Sequence, residues 1–324
     1  MNLTNLKDKT ILVIGGDSMI GTEVIQAYND YNGHYENIFG TSHDKVDLLC
    51  PTQTKMLFKW AEPDYVVHLA TYSGNGQFNQ KYPFDTYWRT TQMALNVFEA
   101  ARLCKVKKIL SVLSSCSVAD KGDVELTEND LHNGMPNQSI ESHGFAKRNL
   151  HAISRCIFKQ HGIPAVCCIV NNSFGPRDSF QPEKTKVVGA LIKKFVDAKI
   201  NGANSVINWG TGIAKRELIY SKDAAKLILM ALANYNDSLT PINIGHPQEF
   251  SIRELSEMIK EIVGFDGHIV WDHSFSDGQL RKKLDLTRMN SELLSSTPFE
   301  YTDMKTAMKE TIDWYSENRL TWKK

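Results

Sequence analysis

Residues 10–21 read TILVIGGDSMIG. A short, unbroken apolar run, Ile11 to Ile14, ends in a glycine pair, and a third glycine, Gly21, follows where a helix begins. Such a run fits a strand buried on both faces, as strands of parallel sheets are. A tight glycine turn from that strand into a helix lets the backbone approach a pyrophosphate and puts the phosphate charge on the helix amino terminus. Gly15 and Gly21 take the outer positions of a GxxGxxG pattern, and Ser18 stands where the middle glycine is expected. Glycine turns also occur for packing reasons alone. Placement directly after the first strand favours a dinucleotide site. The candidate cofactor-binding residues here are Gly15, Gly16, Asp17, Ser18, Met19, Ile20 and Gly21.

Working outward, a second strand is expected from Tyr35 to Gly40, and buried strands over 64–70, 108–114 and 165–170. Helical patterns over about 19–29, 85–104 and 141–161 lie between them. Strands alternating with helices predict a Rossmann-type α/β fold with a doubly wound parallel sheet. After Asn172 the segment NNSFGPRDSFQPEKT is rich in turn formers and reads as a long loop. Then come a helix over about 186–199, a strand over Ser205–Trp209, a helix over about 222–234 and a strand over Ile242–Ile244. SIRE at 251–254 is a capping box opening a helix to about Val263, and a last helix covers about 303–317. The expected division is a dinucleotide-binding domain of residues 1–172 plus about 215–245. Residues 173–214 plus 246–324 form a smaller carboxy-terminal substrate-binding lobe over the sheet's carboxyl edge, where open α/β sheets bind ligands.

The 324 residues carry 37 Lys plus Arg against 37 Asp plus Glu, and this balance argues against a general nucleic-acid or membrane-surface binder. No apolar stretch reaches the roughly 18 residues of a membrane span, and MNLTNLKDKT lacks a signal-peptide core. The six cysteines form no CxxC pair and no cysteine–histidine zinc spacing, so no metal site is expected. Cys167 and Cys168, inside an apolar run, read as small buried hydrophobes. A reducing, cytoplasmic setting is the simplest expectation.

Asp47-Leu48, beyond the second strand, is spaced to let a carboxylate meet an adenine amino group; a solvated turn aspartate would look the same. No acidic residue closes the second strand to hold a ribose 2′-hydroxyl, and no arginine stands there for a 2′-phosphate. The residues therefore leave NAD and NADP both open.

Three further features are ordered along the chain: Ser114-Ser115-Cys116 after the fourth strand, His143-Gly-Phe-Ala-Lys147 opening a helix, and Asn172-Ser-Phe-Gly-Pro176 after the next strand. With the glycine loop they resemble the extended short-chain dehydrogenases/reductases, the NAD-dependent epimerase/dehydratase family, over nearly the whole chain. Within it, SSC (114–116), FGPRDSF (174–180), VVGALIKKF (187–195), NWGTGIAKRE (208–217) and SDGQLRKKLD (276–285) resemble segments of the GDP-L-fucose synthases. Those are GDP-4-keto-6-deoxymannose 3,5-epimerase/4-reductases.

The resemblance implies an NAD(P)-dependent reductase and epimerase, with NADPH favoured, acting on a GDP-linked sugar as a homodimer paired through the helices at about 85–104 and 141–161. Ser114 would bond the sugar's C4 oxygen, Lys147 would hold the nicotinamide ribose, and Cys116 would move protons at C3 and C5. Leu69, Ala70 and Val170 would line the cofactor. Ser115, Asn172, Lys186, Val187, Lys194, Trp209, Arg216, Asp277 and Lys283 would line the nucleotide-sugar, with Arg216 facing the diphosphate. Taken singly, each has a plain alternative: a strand-end cap for Ser114, a buried thiol for Cys116, solvated charges for Lys147 and Arg216.

Two positions depart from the pattern. His143 stands where the YxxxK tyrosine belongs, and Lys186 where the family has a histidine. Ketone reduction requires a proton at the carbonyl oxygen as hydride arrives. Imidazole starts at a pKa of roughly 6.5 and tyrosine at roughly 10. Lys147, one helical turn from His143, disfavours the imidazolium. A neutral imidazole is a poor acid, so altered, slower redox chemistry is expected. Lys186 has the alternatives of proton donor, phosphate ligand or solvated charge. A nucleotide-sugar 4-epimerase or dehydratase, and a binding protein that has lost redox activity, are the competing readings.

Overall fold

The computed structural model describes residues 3–33, 37–295 and 298–323. Its elements are β1 (Ile11–Ile14), α1 (Met19–Asn32), β2 (Ile38–Gly40), α2 (Pro51–Ala61), β3 (Tyr65–His68), α3 (Gly76–Lys81), α4 (Pro83–Leu103) and β4 (Lys108–Ser114). Then come β5 (Glu125–Leu126), α5 (Glu141–His161), β6 (Ala165–Val170), β7 (Asn172–Phe174), α6 (Val187–Ile200), β8 (Ser205–Trp209), β9 (Lys215–Tyr220), α7 (Ser221–Asn234) and β10 (Ile242–Ile244). The chain closes with β11 (Glu249–Ser251), α8 (Ile252–Val263), β12 (His268–Asp272), β13 (Arg281–Leu284), α9 (Thr287–Glu292) and α10 (Met304–Asn318). Tyr35, named above as the start of the second strand, lies outside the described residues.

Six strands form the main sheet in the order β10-β6-β4-β3-β1-β2, every neighbouring pair parallel. The apolar runs explain why. Ile11 and Val13 pack with Val67, Leu110, Val166 and Cys168 under α7 on one face. Leu12 and Ile14 pack with Val66, Ile109 and Ala165 under α2 and α4 on the other. Burying each aliphatic side chain contributes roughly 1.5–3 kcal/mol, so a strand buried on both faces tolerates no polar alternation. Lys108 is the exception that fits: its buried Nζ donates to the carbonyls of Leu232 and Tyr235 and to Asn236 Oδ1, at 2.7, 2.5 and 3.1 Å. It thereby satisfies the carboxyl end of α7.

A second sheet has the order β11-β9-β13-β5, with β7 also pairing β9. β8 and β12 make a separate parallel pair. Asn172–Phe174 is therefore a short strand rather than the start of a loop. Residues 215–220, grouped above with the dinucleotide-binding half, lie in this second sheet, whereas β10 joins the main one. Leu284 to Leu126 and Lys283 to Glu125 are register partners. β5 belongs to the excursion between β4 and α5, so the second sheet joins the two parts of the molecule.

Ser251 caps α8 with a full capping box: its Oγ accepts from Glu254 N–H at 3.1 Å, and the Glu254 carboxylate accepts from Ser251 N–H at 2.7 Å. No helix among the described residues is long and apolar enough to cross a membrane.

Candidate active site

The order of the main sheet changes direction between β1 and β3, and ligands of open α/β sheets bind outside such a point. The glycine loop lies there. A Cβ on Gly16 would sit 2.4 Å from Gly40 Cα, and one on Gly21 would sit 2.2 Å from the Gly15 carbonyl oxygen. Gly15 has φ +85° and faces the backbone of Ala70. Only glycine fits these positions. Ser18, at the expected glycine position, is the amino-terminal cap of α1. Its Oγ accepts from Gly21 N–H at 3.1 Å and donates to the Gly15 carbonyl at 2.7 Å. The cradle therefore fits a dinucleotide pyrophosphate, with bare backbone on β1, a helix amino terminus beyond it, and Leu69-Ala70 alongside.

Asp47 belongs to its own turn: its Oδ1 accepts from Leu49 N–H at 2.9 Å. Leu48 is buried, and its carbonyl accepts from Asn96. Val170 is buried at the end of β6.

Further along the sheet edge the chain gathers titratable groups. The buried face of α5 contains His143, Gly144, Lys147, Leu150, His151 and Ser154, a helical stripe with ionisable residues in its first turns. Gly144 lets this helix close onto the turn after β4: a Cβ there would lie 2.6 Å from the Cys116 carbonyl oxygen. Lys147 Nζ donates to the Val112 carbonyl at 2.9 Å. Burial, then the nearby Lys186, pulls its pKa down to about 8.

His143 is only 9 % exposed. Burial, with the charges of Lys147, Lys186 and Lys282, drives its pKa down to about 3. The imidazole is neutral at pH 7, and its Nδ1 is buried with no hydrogen-bond partner.

Ser114 Oγ accepts from Cys116 N–H at 3.2 Å. Burial alone would raise the Cys116 thiol. The Lys282 charge, bonds from Ser114 and Lys282, and Lys186 outweigh it and hold the thiol below its usual range. Lys282 Nζ lies 3.0 Å from Cys116 Sγ. Sequence reasoning missed this lysine and chose its neighbour. Strand alternation was the available signal: Lys282 and Leu284 turn inward, Arg281 and Lys283 outward. Lys283 is instead paired with Glu125 at 2.8 Å.

The other expected sugar-site residues divide. Lys186 is exposed at the start of α6, with Val187 half-buried beside it. Trp209 is exposed and stacked on Phe275 with ring centroids 4.5 Å apart. Lys194 lies over the Trp209 ring and donates to the Ile207 carbonyl at 2.8 Å. Arg216 is half-buried on β9 and donates to the Lys215 carbonyl.

Asp277 is taken up by a loop, accepting from Thr211 N–H and Oγ1 at 2.7 Å each and from Gly212 N–H at 3.3 Å. Ser115 is buried and donates to Asn171 Oδ1 at 2.8 Å. Asn172 Nδ2 donates to Asn171 Oδ1 and the Glu217 carbonyl. The side chains of Ser115, Asn172, Asp277 and Lys283 thus serve the framework that carries the site. No metal-binding group of His, Cys, Asp or Glu occurs among the described residues. A cleft of about 890 Å³ runs past the start of α5 between Tyr87, Asn137, Ser139 and Phe145, away from the glycine cradle.

A glycine cradle at the sheet's switch point and a serine–lysine edge beyond it define a nucleotide-dependent enzyme of Rossmann type. The model of the NAD dependent epimerase/dehydratase family matches residues 11–245, and the chain belongs to that family. More particularly, it is similar to GDP-L-fucose synthase 1 of Arabidopsis thaliana, at 32% identity over 98% of this chain and 96% of that one. It is also similar to the crystal structure of a GDP-L-fucose synthetase from Naegleria fowleri, with TM-score 0.87 and 30% identity over 98% of this chain and 96% of that chain. A structure of the Naegleria fowleri protein bound to NADP matches with TM-score 0.86 at 30% identity, covering 98% of this chain and 97% of that chain.

Proposed function

We propose that this protein is an NADPH-dependent reductase of a GDP-linked 4-keto-6-deoxy sugar, with 3,5-epimerase activity, in which His143 occupies the position of the usual catalytic tyrosine. The observation that carries the reading is the convergence on one sheet edge of Ser114, Cys116, His143 and Lys147, next to a cradle that only glycine can form. Full-length similarity to GDP-L-fucose synthases, one of them solved with NADP, supports the cofactor and the substrate class.

When bound, the dinucleotide supplies the hydride. The chain's residues do the rest. Gly15 to Gly21 take the pyrophosphate on the start of α1. The Lys147 ammonium holds the ribose beside α5. The Ser114 hydroxyl donates to the sugar's C4 oxygen. The Cys116 sulfur removes a proton next to the C4 carbonyl. Lys194, Trp209 and Arg216 form the nucleotide end of the sugar site, with Lys186 and Val187 nearer the sugar. Neutral His143 donates a hydrogen bond to the C4 oxygen but gives up a proton slowly. With Nδ1 unpartnered, it has no donor behind it to replace a proton it releases. Residues 173–214 and 246–324 act as the sugar-binding lobe.

NADPH consumption on GDP-4-keto-6-deoxymannose, with deuterium uptake at C3 and C5 from heavy water, tests this. Consumption without uptake removes the epimerase half. Tightly retained NAD with no net consumption marks a 4-epimerase or dehydratase instead. Binding without turnover across the pH range marks a protein that has lost its redox acid, a reading the unpartnered imidazole keeps in play.

A homodimer through α4 and α5 is part of the proposal. Phe84, Trp88 and Leu95 of α4 are 72, 42 and 46 % exposed, an apolar surface that a partner helix would cover. Light scattering of Phe84→Glu/Trp88→Glu should give a monomer where the wild type gives a dimer. The six unpaired cysteines support a reducing, cytoplasmic setting.

A further inference from the structure

The turn after β4 and the strand β13 are separated by some 160 residues of chain, yet they present a thiol and an ammonium to each other. The cations around Lys282 are committed elsewhere. Arg281 bonds the Glu249 carboxylate at 2.9 Å and reaches Glu125 at 3.2 Å, and Lys283 bonds Glu125 at 2.8 Å. Lys282, 8 % exposed, faces inward, and among the described residues no carboxylate pairs with it. Its Nζ is 3.0 Å from Cys116 Sγ. A niche of about 10 Å³ opens beside the pair, bounded by Asp120, Asn137, Gln279 and Ile140. The unpartnered Nδ1 of His143, on the helix packed against the same turn, leaves a buried polar atom next to the site.

We propose that Lys282 is a positioning residue that keeps Cys116 ionised as the base of epimerisation, and that Lys186 is not its partner in this chain. The proposal rests on the sugar-epimerase reading for its chemistry, but the thiol–ammonium pairing stands on geometry alone. An ammonium in contact with sulfur, away from bulk water, stabilises the thiolate, which is the reactive form.

In the step it serves, the C–H bond at C3 or C5 breaks and an S–H bond forms. The electron pair passes through the ring carbon to the C4 oxygen, where the Ser114 hydroxyl donates. A water on the opposite face protonates the same carbon, which completes the inversion and regenerates the ketone, and the S–H proton passes to solvent, restoring the thiolate. The charged and titratable groups around Cys116 are Lys282 on β13, Lys186 at the start of α6, His143 and Lys147 on α5, and Asp120 on the loop that follows the turn.

Alkylation of Cys116 by iodoacetamide as a function of pH, read peptide by peptide on the full chain, tests the pairing without any sugar. Exposed Cys156 serves as the internal reference. Wild-type Cys116 should reach half its maximal rate below the ordinary thiol range. Lys282→Met should slow it at pH 7 by about tenfold or more, since each pKa unit changes the thiolate fraction tenfold. Lys282→Arg should keep most of the rate, and Lys186→Met should cost less than about threefold, because Lys186 acts on the thiol only through its charge and makes no bond to it.

A Lys282→Met profile that overlays wild type, or a larger effect from Lys186→Met, overturns the proposal. Should Lys282→Met fail to fold, the ultraviolet thiolate absorbance of wild type minus Cys116→Ser decides: half-titration at or above about 8.5 overturns it. Where GDP-4-keto sugar turns over, Lys282→Met should lose about tenfold in deuterium uptake at pH 7, and the deficit should close as pH rises. A deficit independent of pH would mean a merely structural lysine and overturn the proposal. If wild type takes up no deuterium from any such sugar while Cys116 titrates low, the substrate reading fails and the pairing survives.

Discussion

The two ends of the proposed cleft are built on opposite principles. At the glycine loop the site is made of absence: no side chain fits on Gly16 or Gly21, and Ser18 folds its hydroxyl back onto the turn. At the α5 edge the site is crowded with charge, with Lys147, Lys186 and Lys282 surrounding a neutral imidazole and an acidified thiol. The first end constrains shape and tolerates no chemistry of its own. The second sets protonation states, and every group there depends on its neighbours. On the proposed function, binding would rest on sterics and catalysis on mutual electrostatics, and the two should fail differently under mutation.

The largest contrast comes from Cys116→Ala. Removing a general base costs on the order of a thousandfold. Deuterium uptake at C3 and C5 should fall by that factor while NADPH affinity stays near wild type. A parallel loss of NADPH binding would mean that the two ends are not separable.

Gly21→Ala attacks the other end. A methyl 2.2 Å from the Gly15 carbonyl must displace the turn, at a cost of about 3 kcal/mol of stability or cofactor affinity. Thermal unfolding with and without NADPH measures the loss, and an alanine variant with wild-type affinity would show that the cradle is not where the pyrophosphate sits.

His143→Tyr acts in the favourable direction. A phenol beside Lys147 restores a proton donor, and reductase turnover should rise by about tenfold, less than the roughly hundredfold or more a general acid contributes in full, because the imidazole it replaces already donates a hydrogen bond. A dead tyrosine variant beside a brisk wild type would refute the inherited acid position.

The effect of pH on stability, small near neutrality, comes last. His68 and His143 have pKa values pushed down to about 3 by burial and nearby lysine charge, and His151 is pushed to about 4, chiefly by burial. Unfolded, each would titrate near 6.5, so on acidification the unfolded chain takes protons that the folded chain refuses. Their contribution is intact above about pH 6.5 and is lost as pH falls through about 4 for His151 and about 3 for His68 and His143. Glu217 works the other way. Burial raises it to about 7, so its contribution is complete below about 4.5 and is lost as pH rises through 7. Melting temperatures should fall steadily from pH 6.5 to 4, and a flat profile would contradict the buried neutral imidazoles.

The same division separates what was legible in the sequence from what was not. β1, β4, β6 and the helices α4, α5 and α8 announce themselves, because burial on both faces requires continuous apolar runs and because caps have fixed spacing. α2 was passed over: PTQTKMLFKWA alternates too loosely to stand out, and its strongest signal is the proline at its first turn. The second sheet was largely invisible. RKKL, EL and EFS are short and charged, and they become strands only because β9 and the loop excursion supply partners.

Lys282 was missed for that reason. Whether 282 or 283 turns inward is a question of register, and register is set by pairing with Lys215, Arg216 and Glu125 rather than by anything local. Asn171, which occupies the Ser115 hydroxyl and bonds the Lys282 carbonyl at 3.4 Å, carried no signal at all before the fold was in view.

The pairing of β13 with β5 also constrains motion. Asp285 N–H bonds the Leu126 carbonyl at 2.9 Å, and Asn243 Nδ2 bridges the Leu126 and Asp285 carbonyls at 3.0 and 2.9 Å. A hinge that swung the small lobe away from the Rossmann half as a rigid body would have to unzip these rungs first. Ligand entry by way of the loops at the rim would leave these rungs intact, and the strand that carries Lys282 would stay in register with the excursion that follows Cys116.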